Sequence, residues 1–278
     1  MNKVYITSIA LLLTLIPISL SAFDGYGPVG ARQAGMGRAS VASTDFWSIH
    51  NNPAGIALAT SPAAGLAYEN RFLMKELSLK SAGFILPVNY GVLGLSFNQF
   101  GYKLYNENKL GLAYSLAFSP SLRMGLQLDY LGSRAEGYDG YHHLTFEYGV
   151  QYDVNPKFSI AATVFNPIGA GRSQLTNERI PVVARLGVGY LFAENLRGIA
   201  EIEKSSDFSP DLRVGLEYTL QEHFYVRTGV GVKPGNLTFG AGWDLGPLQL
   251  DLAAGIHEVL GSNLQASLVY SFRKKGGK

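Results

Sequence analysis

The residues able to do chemistry in this chain are few and poorly arranged for it. Its histidines, His50, His142, His143, His223 and His257, show neither the H-E-x-x-H spacing nor a paired arrangement that would put two imidazoles on one metal. His142 and His143 adjoin a Tyr/Gly-rich stretch and read as a solvated pair at the start of a strand. No G-x-S-x-G nucleophile elbow and no phosphate-binding loop occurs. Cysteine is absent, which excludes disulfides, thiol catalysis, thiolate metal sites and lipid attachment through an N-terminal Cys. These observations argue for a non-enzyme without metal or cofactor. A formal charge of +2 gives no reason to expect a nucleic-acid partner. What the charged side chains can do is pair. They recur with both signs interspersed, among them Glu69, Lys80, Glu147, Arg185, Glu201, Arg213, Glu217, Arg227 and Asp251. Such a mixture predicts a self-paired network filling an interior, not a permeation path of one sign.

The elements that would hold these charges are strands. From Ala64 onward apolar and polar residues alternate with period 2, which sends successive side chains to opposite faces. Leu264, Ala266, Leu268, Tyr270 and Phe272 stand against Gln265, Ser267, Val269 and Ser271. Fourteen such segments follow one another, centred on Tyr68, Lys80, Leu95, Tyr114, Leu126, Tyr148, Ile160, Leu186, Ala200, Val214, Val226, Phe239, Leu252 and Leu268. An even count, only 16% charged residues and 33 glycines suit an all-β protein, a closed antiparallel barrel in an outer membrane. There a sheet must close, because lipid cannot satisfy an open edge. Loop parity agrees: connections after even strands are short (Asn155-Pro156, Gln221-Glu222), and several after odd strands are longer (Gly101 to Asn108, Asn166 to Glu178). A soluble sandwich would need fewer strands. Gly111, Gly125, Gly149, Gly187, Gly215, Gly229 and Gly240 fall on the polar face and leave room for a second body inside.

The chain divides accordingly. Residues 1–22 read as a cleaved signal peptide: Lys3, the apolar run Ile9 to Leu20, then small residues through Ala22. Residues 23–62 form an N-terminal segment, 63–273 the transmembrane barrel and 274–278 a basic tail. The segment is organised around Gly30 to Leu58, too Gly- and Ala-rich for a strand and too interrupted for one long helix. Gly35 and Gly37 permit close approach to a wall. Thr44 or Asp45 can cap a short helix over Phe46 to His50, which Pro53 ends, and Asn52 is pushed to extended geometry. Gly55 would let the chain turn into the first strand. Phe46, Trp47 and Ile49 are suited to pack on the wall or to contact an apolar ligand.

Gly30-Ala31-Arg32, Ala34-Gly35-Met36-Gly37, Val41-Ala42, Thr44-Asp45 and Asn52-Pro53-Ala54-Gly55-Ile56-Ala57 resemble the N-terminal signature of FadL-like outer-membrane proteins. The Ala-Gly-Met-Gly run, with Trp47 shortly before Asn-Pro-Ala-Gly, is most similar to the PorV/PorQ branch. The resemblance implies a hatch inside the barrel, to which Arg32, Met36, Gly37, Asp45, Asn52, Pro53 and Gly55 would belong. It implies passive passage of small hydrophobic molecules gated by that hatch, with outer-membrane lipid around the barrel. The alternative from the PorV/PorQ branch is a protein-interaction role with secretion-system proteins in type IX secretion, and a third is a structural barrel without transport. Leu264 to Phe272 has the form of a C-terminal strand read by barrel-assembly machinery. The outer loops are modest, against the long capture loops of fatty-acid transporters in that family.

Overall fold

The alternation closes on itself. In the computed structural model, which describes residues 27–138, 140–169, 180–233 and 235–272, fourteen antiparallel strands form one closed barrel in chain order. They are β1 (Ala63–Asn70), β2 (Ser78–Val88), β3 (Gly91–Gly101), β4 (Tyr105–Ala117), β5 (Leu122–Ala135), β6 (Tyr141–Asn155) and β7 (Phe158–Phe165). The second half comprises β8 (Val183–Ala193), β9 (Leu196–Ser205), β10 (Asp211–Thr219), β11 (Phe224–Gly231), β12 (Asn236–Asp244), β13 (Leu248–His257) and β14 (Gly261–Ser271). Closure is made by β1 on β14, from Ala63↔Ser271 to Asn70↔Leu264. The expected signal peptide and basic tail lie outside the described residues.

The two faces separate as the pattern predicts. On β14, Leu264, Ala266, Leu268 and Tyr270 are exposed, whereas Gln265, Ser267 and Val269 are buried. The exposed face is rich in Leu, Tyr and Phe throughout, and Asp129, Glu201 and Asp251 inside are fully buried. A polar interior beneath an apolar exterior is the inversion that a lipid surround requires. One expectation fails. Lys80 is exposed on the outer face of β2, paired with Tyr68, and its neighbours Leu79 and Ser81 take the inward positions. Near a strand end a lysine's long stem can lie along apolar surface while its ammonium reaches water.

Connections on the side of the chain ends are short, such as residues 89–90 and 156–157. On the other side the expected loop from Gly101 to Asn108 contracts to residues 102–104, because β3 and β4 continue pairing to Gly101↔Asn106. The alternation there carries polar residues on both faces (Asn106 and Asn108 outward, Glu107 and Lys109 inward), so it was invisible to a hydrophobic criterion. β4, β5 and β6 are accordingly the longest strands, at 13, 14 and 15 residues.

Inside, the described part of the N-terminal segment lies on the inner wall. Its backbone rests where the wall lacks side chains: a Cβ added at Gly229 would fall 2.1 Å from the Gly37 nitrogen and 2.2 Å from the Met36 carbonyl carbon. Gly229→Val is therefore expected to lower barrel stability by about 1–3 kcal/mol, the usual cost of overpacking. Thermal unfolding in detergent checks this. Gly132→Ala, whose Cβ meets nothing nearer than 3.4 Å, is expected to leave the midpoint unchanged.

Candidate functional site

The site is the contact between the N-terminal segment and the inner wall. The segment holds two single-turn helices, α1 (Ala31–Ala34) and α2 (Ser48–Asn51), and a 3-10 turn over Pro53–Ile56. The expected helix over Phe46 to His50 is shorter and shifted: α2 begins at Ser48 with Trp47 at its N-cap and no side-chain cap, and Asp45 instead closes the turn before it, its Oδ1 accepting the Trp47 N–H at 2.8 Å. Thr44 is exposed and takes no part. Asn52 is extended (φ −160°), as the residue before proline should be, and Pro53 opens the 3-10 turn. Gly55 does something other than expected. It sits inside that turn, and a Cβ there would lie 2.5 Å from the Ser43 carbonyl oxygen and 2.6 Å from Ser48. Its lack of a side chain serves packing within the segment, not the turn into β1.

A row of wall glycines seats the segment. Gly240 meets Gly35, Gly215 meets Met36, Gly187 meets Val41, and Gly125 meets Pro53. Asn52 lies over Gly149, its side-chain amide donating to the Val41 carbonyl at 2.8 Å and its oxygen accepting from Ala54 at 3.1 Å. The Pro53 carbonyl accepts the Ser115 hydroxyl at 2.5 Å.

Charge holds the segment over β9 to β13. Arg32 donates to both oxygens of Glu217, at 2.8 Å and 2.6 Å, and to Asp45 at 2.7 Å. Asp45 also accepts from Gln33 at 2.6 Å. Arg227 in turn reaches Glu217 and Asp251, each at 2.6 Å. The Glu201 carboxylate accepts the backbone N–H groups of Ser40 and Val41, both at 2.7 Å, and so satisfies donors that no strand reaches. On the opposite wall Arg38 reaches Glu69 at 3.0 Å. Glu69 is shared with Arg71, at 3.2 Å. Lys109 pairs with Glu147 and Asp129 within the wall, at 3.2 Å and 3.5 Å.

The inner wall is not uniform. On β14, β1, β2 and β3, beside the inward polar residues Glu69 and Gln265, Phe46, Trp47, Ile49 and Ile56 pack against Ala63, Leu79, Ile85, Val92, Phe100 and Val269. Phe46 fills the space of two paired glycines: its Cε1 lies 2.4 Å from a Cβ built at Gly65, and its Cζ 3.0 Å from one at Gly83. Ile49 and Ile56 crowd Gly94 in the same way. His50 is buried beside Trp47, ring centroids 5.8 Å apart. Burial, with the charge of Lys109 adding to it, pushes the imidazole down to about 3. The two best-formed cavities beside the segment have volumes of only about 10 Å³, room for one water each.

Of the residues singled out from the sequence, Arg32 and Asp45 come together with Glu217. Met36, Gly37, Asn52 and Pro53 lie on the wall glycines, and Phe46, Trp47 and Ile49 fill the apolar sector. Sequence reasoning missed Arg38, and with it the second ion pair to the wall. It also missed Gly65, Gly83 and Gly94 as the seat of the aromatic side chains. The glycines carried a signal, since each interrupts an inward position in a strand.

No protein-family model matches the chain, and no curated protein does. Solved structures do. CymD, a monoaromatic hydrocarbon channel, superposes with a TM-score of 0.68 at 14% identity, over 92% of this chain and 100% of its own. The Ralstonia pickettii toluene transporter TbuX gives 0.66 at 13% identity, over 89% and 99%. A FadL homologue of Pseudomonas aeruginosa gives 0.66 at 12% identity, over 88% and 98%. At these identities the likeness is one of fold, the closed fourteen-strand antiparallel barrel.

Two outcomes follow from the charges. Arg32→Met leaves Asp45 without its guanidinium and is expected to cost about 3 kcal/mol, as loss of one partner of a buried pair does. Arg32→Met with Asp45→Leu should cost less than the sum of the single changes, which a double-mutant cycle in detergent reads directly. For His50, the unfolded imidazole takes up its proton near 6.5 and the folded one near 3. The unfolded state thus binds more protons between these values, and stability falls as pH drops from about 6.5, by up to about 1.4 kcal/mol per pH unit. His50→Gln is expected to flatten the change in unfolding midpoint between pH 7 and pH 4.

Proposed function

We propose that this chain is a bacterial outer-membrane barrel, exported by its N-terminal signal peptide, through which small hydrophobic molecules pass passively under the control of the 23–62 segment acting as a hatch. The observation that carries this reading is the division of the inner wall. Charge lines most of it, and pairs with itself or with the segment. One apolar sector, on β14 and β1 to β3, is filled by the aromatic side chains Phe46 and Trp47 and by Ile49. An apolar solute gains nothing from the charged sector, where entering would desolvate ion pairs. In the apolar sector it would only replace side chains of its own character. The fold shared with hydrocarbon channels supports the same reading. The exposed Leu, Tyr and Phe of the outer face would contact outer-membrane lipid, and β14 would be the strand read by barrel-assembly machinery.

A second reading draws on the completeness of the wall. Every neighbouring pair of strands is hydrogen-bonded around the ring, and the cavities beside the segment hold about one water each. A sealed barrel with an ion-paired interior would equally serve as a PorV/PorQ-like component that meets secretion-system proteins through its surface.

The readings separate in intact cells. With the chromosomal copy deleted and a cysteine-free chain restored, uptake of radiolabelled toluene is expected to rise with the barrel. Unchanged uptake, together with co-purification of secretion components, would favour the second reading. Replacing Asn52 and Pro53 by Ala together is expected to leave a folded barrel, seen as heat-modifiable migration on gels, with altered uptake. Failure of the barrel to assemble would show that the segment serves assembly alone.

A further inference from the structure

The outer face of the barrel differs from one side to the other. On β10 to β13 the outward residues stay apolar up to the strand ends remote from the chain termini, as at Leu212, Val230, Leu237 and Ile256. On β2 to β6 they turn polar before the strands end. Phe97 is followed on its face by Gln99, and Leu110 is preceded by Asn106 and Asn108. Tyr130 is followed by Gly132 and Arg134, and Leu144 is preceded by His142. Lys80 takes the corresponding place on β2.

These residues are neighbours. Tyr68, Lys80, Gln99, Asn108, Gly132 and His142 follow one another across β1 to β6, each paired with the next. Asn106, paired with Arg134, lies one step further out. The Asn108 amide donates to the Asn106 side-chain oxygen at 2.9 Å. His142 stacks on Tyr130, ring centroids 5.7 Å apart, with its Nδ1 2.6 Å from the Tyr130 hydroxyl. Lys80 and Arg134 are exposed, and neither has an ion pair or hydrogen bond among the described residues. Girdle tyrosines and long-stemmed cations stand where lipid tails give way to water on a barrel exterior. The polar belt therefore begins where the tail-facing surface of Phe97, Leu110 and Leu128 ends.

We infer that this belt on β2 to β6 binds the headgroup of a phosphorylated glycolipid in the outer leaflet. The inference rests on the outer-membrane placement proposed above and is independent of what passes through the barrel. Arg134 can grip a phosphate through two N–H groups, and Lys80 can meet a second phosphate as a point charge. The two stand three strands apart, about 14 Å at the usual strand spacing. Gln99, Asn106 and Asn108 lie between them, and side-chain amides both donate to and accept from sugar hydroxyls. A single phospholipid headgroup would reach one cation and leave the amides unused. A short saccharide with a phosphate at each end spans the belt, and its acyl chains would run down over Phe97, Leu110, Leu112 and Leu128, all exposed. Glu76 and Glu136 are exposed on the same rim, and Lys75 and Lys103 offset them, so the belt keeps its positive balance among the described residues.

The test is binding by the chain purified from membranes and washed in detergent, with diphosphoryl lipid A, monophosphoryl lipid A and phosphatidylglycerol as probes and native mass spectrometry as the readout. Diphosphoryl lipid A is expected to bind at least about tenfold more tightly than either of the others, the effect of one charge-assisted contact. Lys80→Gln with Arg134→Gln is expected to abolish that preference. Lys204→Gln with Lys233→Gln, the same change of charge on the rim of β9 to β12, is expected to leave it within about twofold. All four positions are exposed, and heat-modifiable migration checks that both variants fold. Equal binding of diphosphoryl lipid A and phosphatidylglycerol, or equal losses in the two double variants, would overturn the belt. Sedimentation of the unmodified chain apart from the outer membrane would instead remove the placement on which the belt rests.

Discussion

The pairing of β1 with β14 is the bond on which everything else depends. Fourteen strands joined only by neighbours would leave two edges, and in lipid an unpaired edge has nowhere to place its amide and carbonyl groups. Closing the ring removes both edges and creates the opposite problem, an interior cut off from bulk water. Whatever faces inward must then be small, apolar, or matched with a partner.

The interior meets that requirement in three ways at once. Glycines remove wall side chains where the segment's backbone runs, as at Gly215, Gly229 and Gly240. Carboxylates and guanidinium groups pair across strands and from wall to segment, as in the run Asp45, Arg32, Glu217, Arg227 and Asp251. An apolar sector takes the aromatic side chains of the segment. The apolar packing gathers on β14 and β1 to β3, and the Arg32 and Glu201 contacts on β9 and β10.

Much of this is legible in the sequence. Period-2 alternation works as evidence because a strand's two faces meet different media, so β14 and β13 declare themselves residue by residue. Alternation fails where both media are polar. That is why the far ends of β3 and β4 read as a loop, and why Lys80, flanked by Leu79 and Ser81, read as an inward charge. The signature around Arg32, Met36, Asp45 and Asn52-Pro53 marked the segment. It could not say that Gly55 is needed by Ser43 and Ser48, since that contact exists only once the turn has formed.

By itself the sequence determined the class of fold, the number of strands, the face each side chain takes over most of the wall, and the presence of a distinct N-terminal body. Those follow from local periodicity and composition, which a single strand already contains. Tertiary structure alone decided which charges meet, because Arg32 and Glu217 are brought within 2.6 Å by a ring closure that no local pattern encodes. It also decided that Arg38 and Glu69 hold the side where the cavities lie, and that Gly65 and Gly83, 18 positions apart in the chain, face each other to receive one phenyl ring. Register between strands sets these partnerships, and register is a property of the closed sheet.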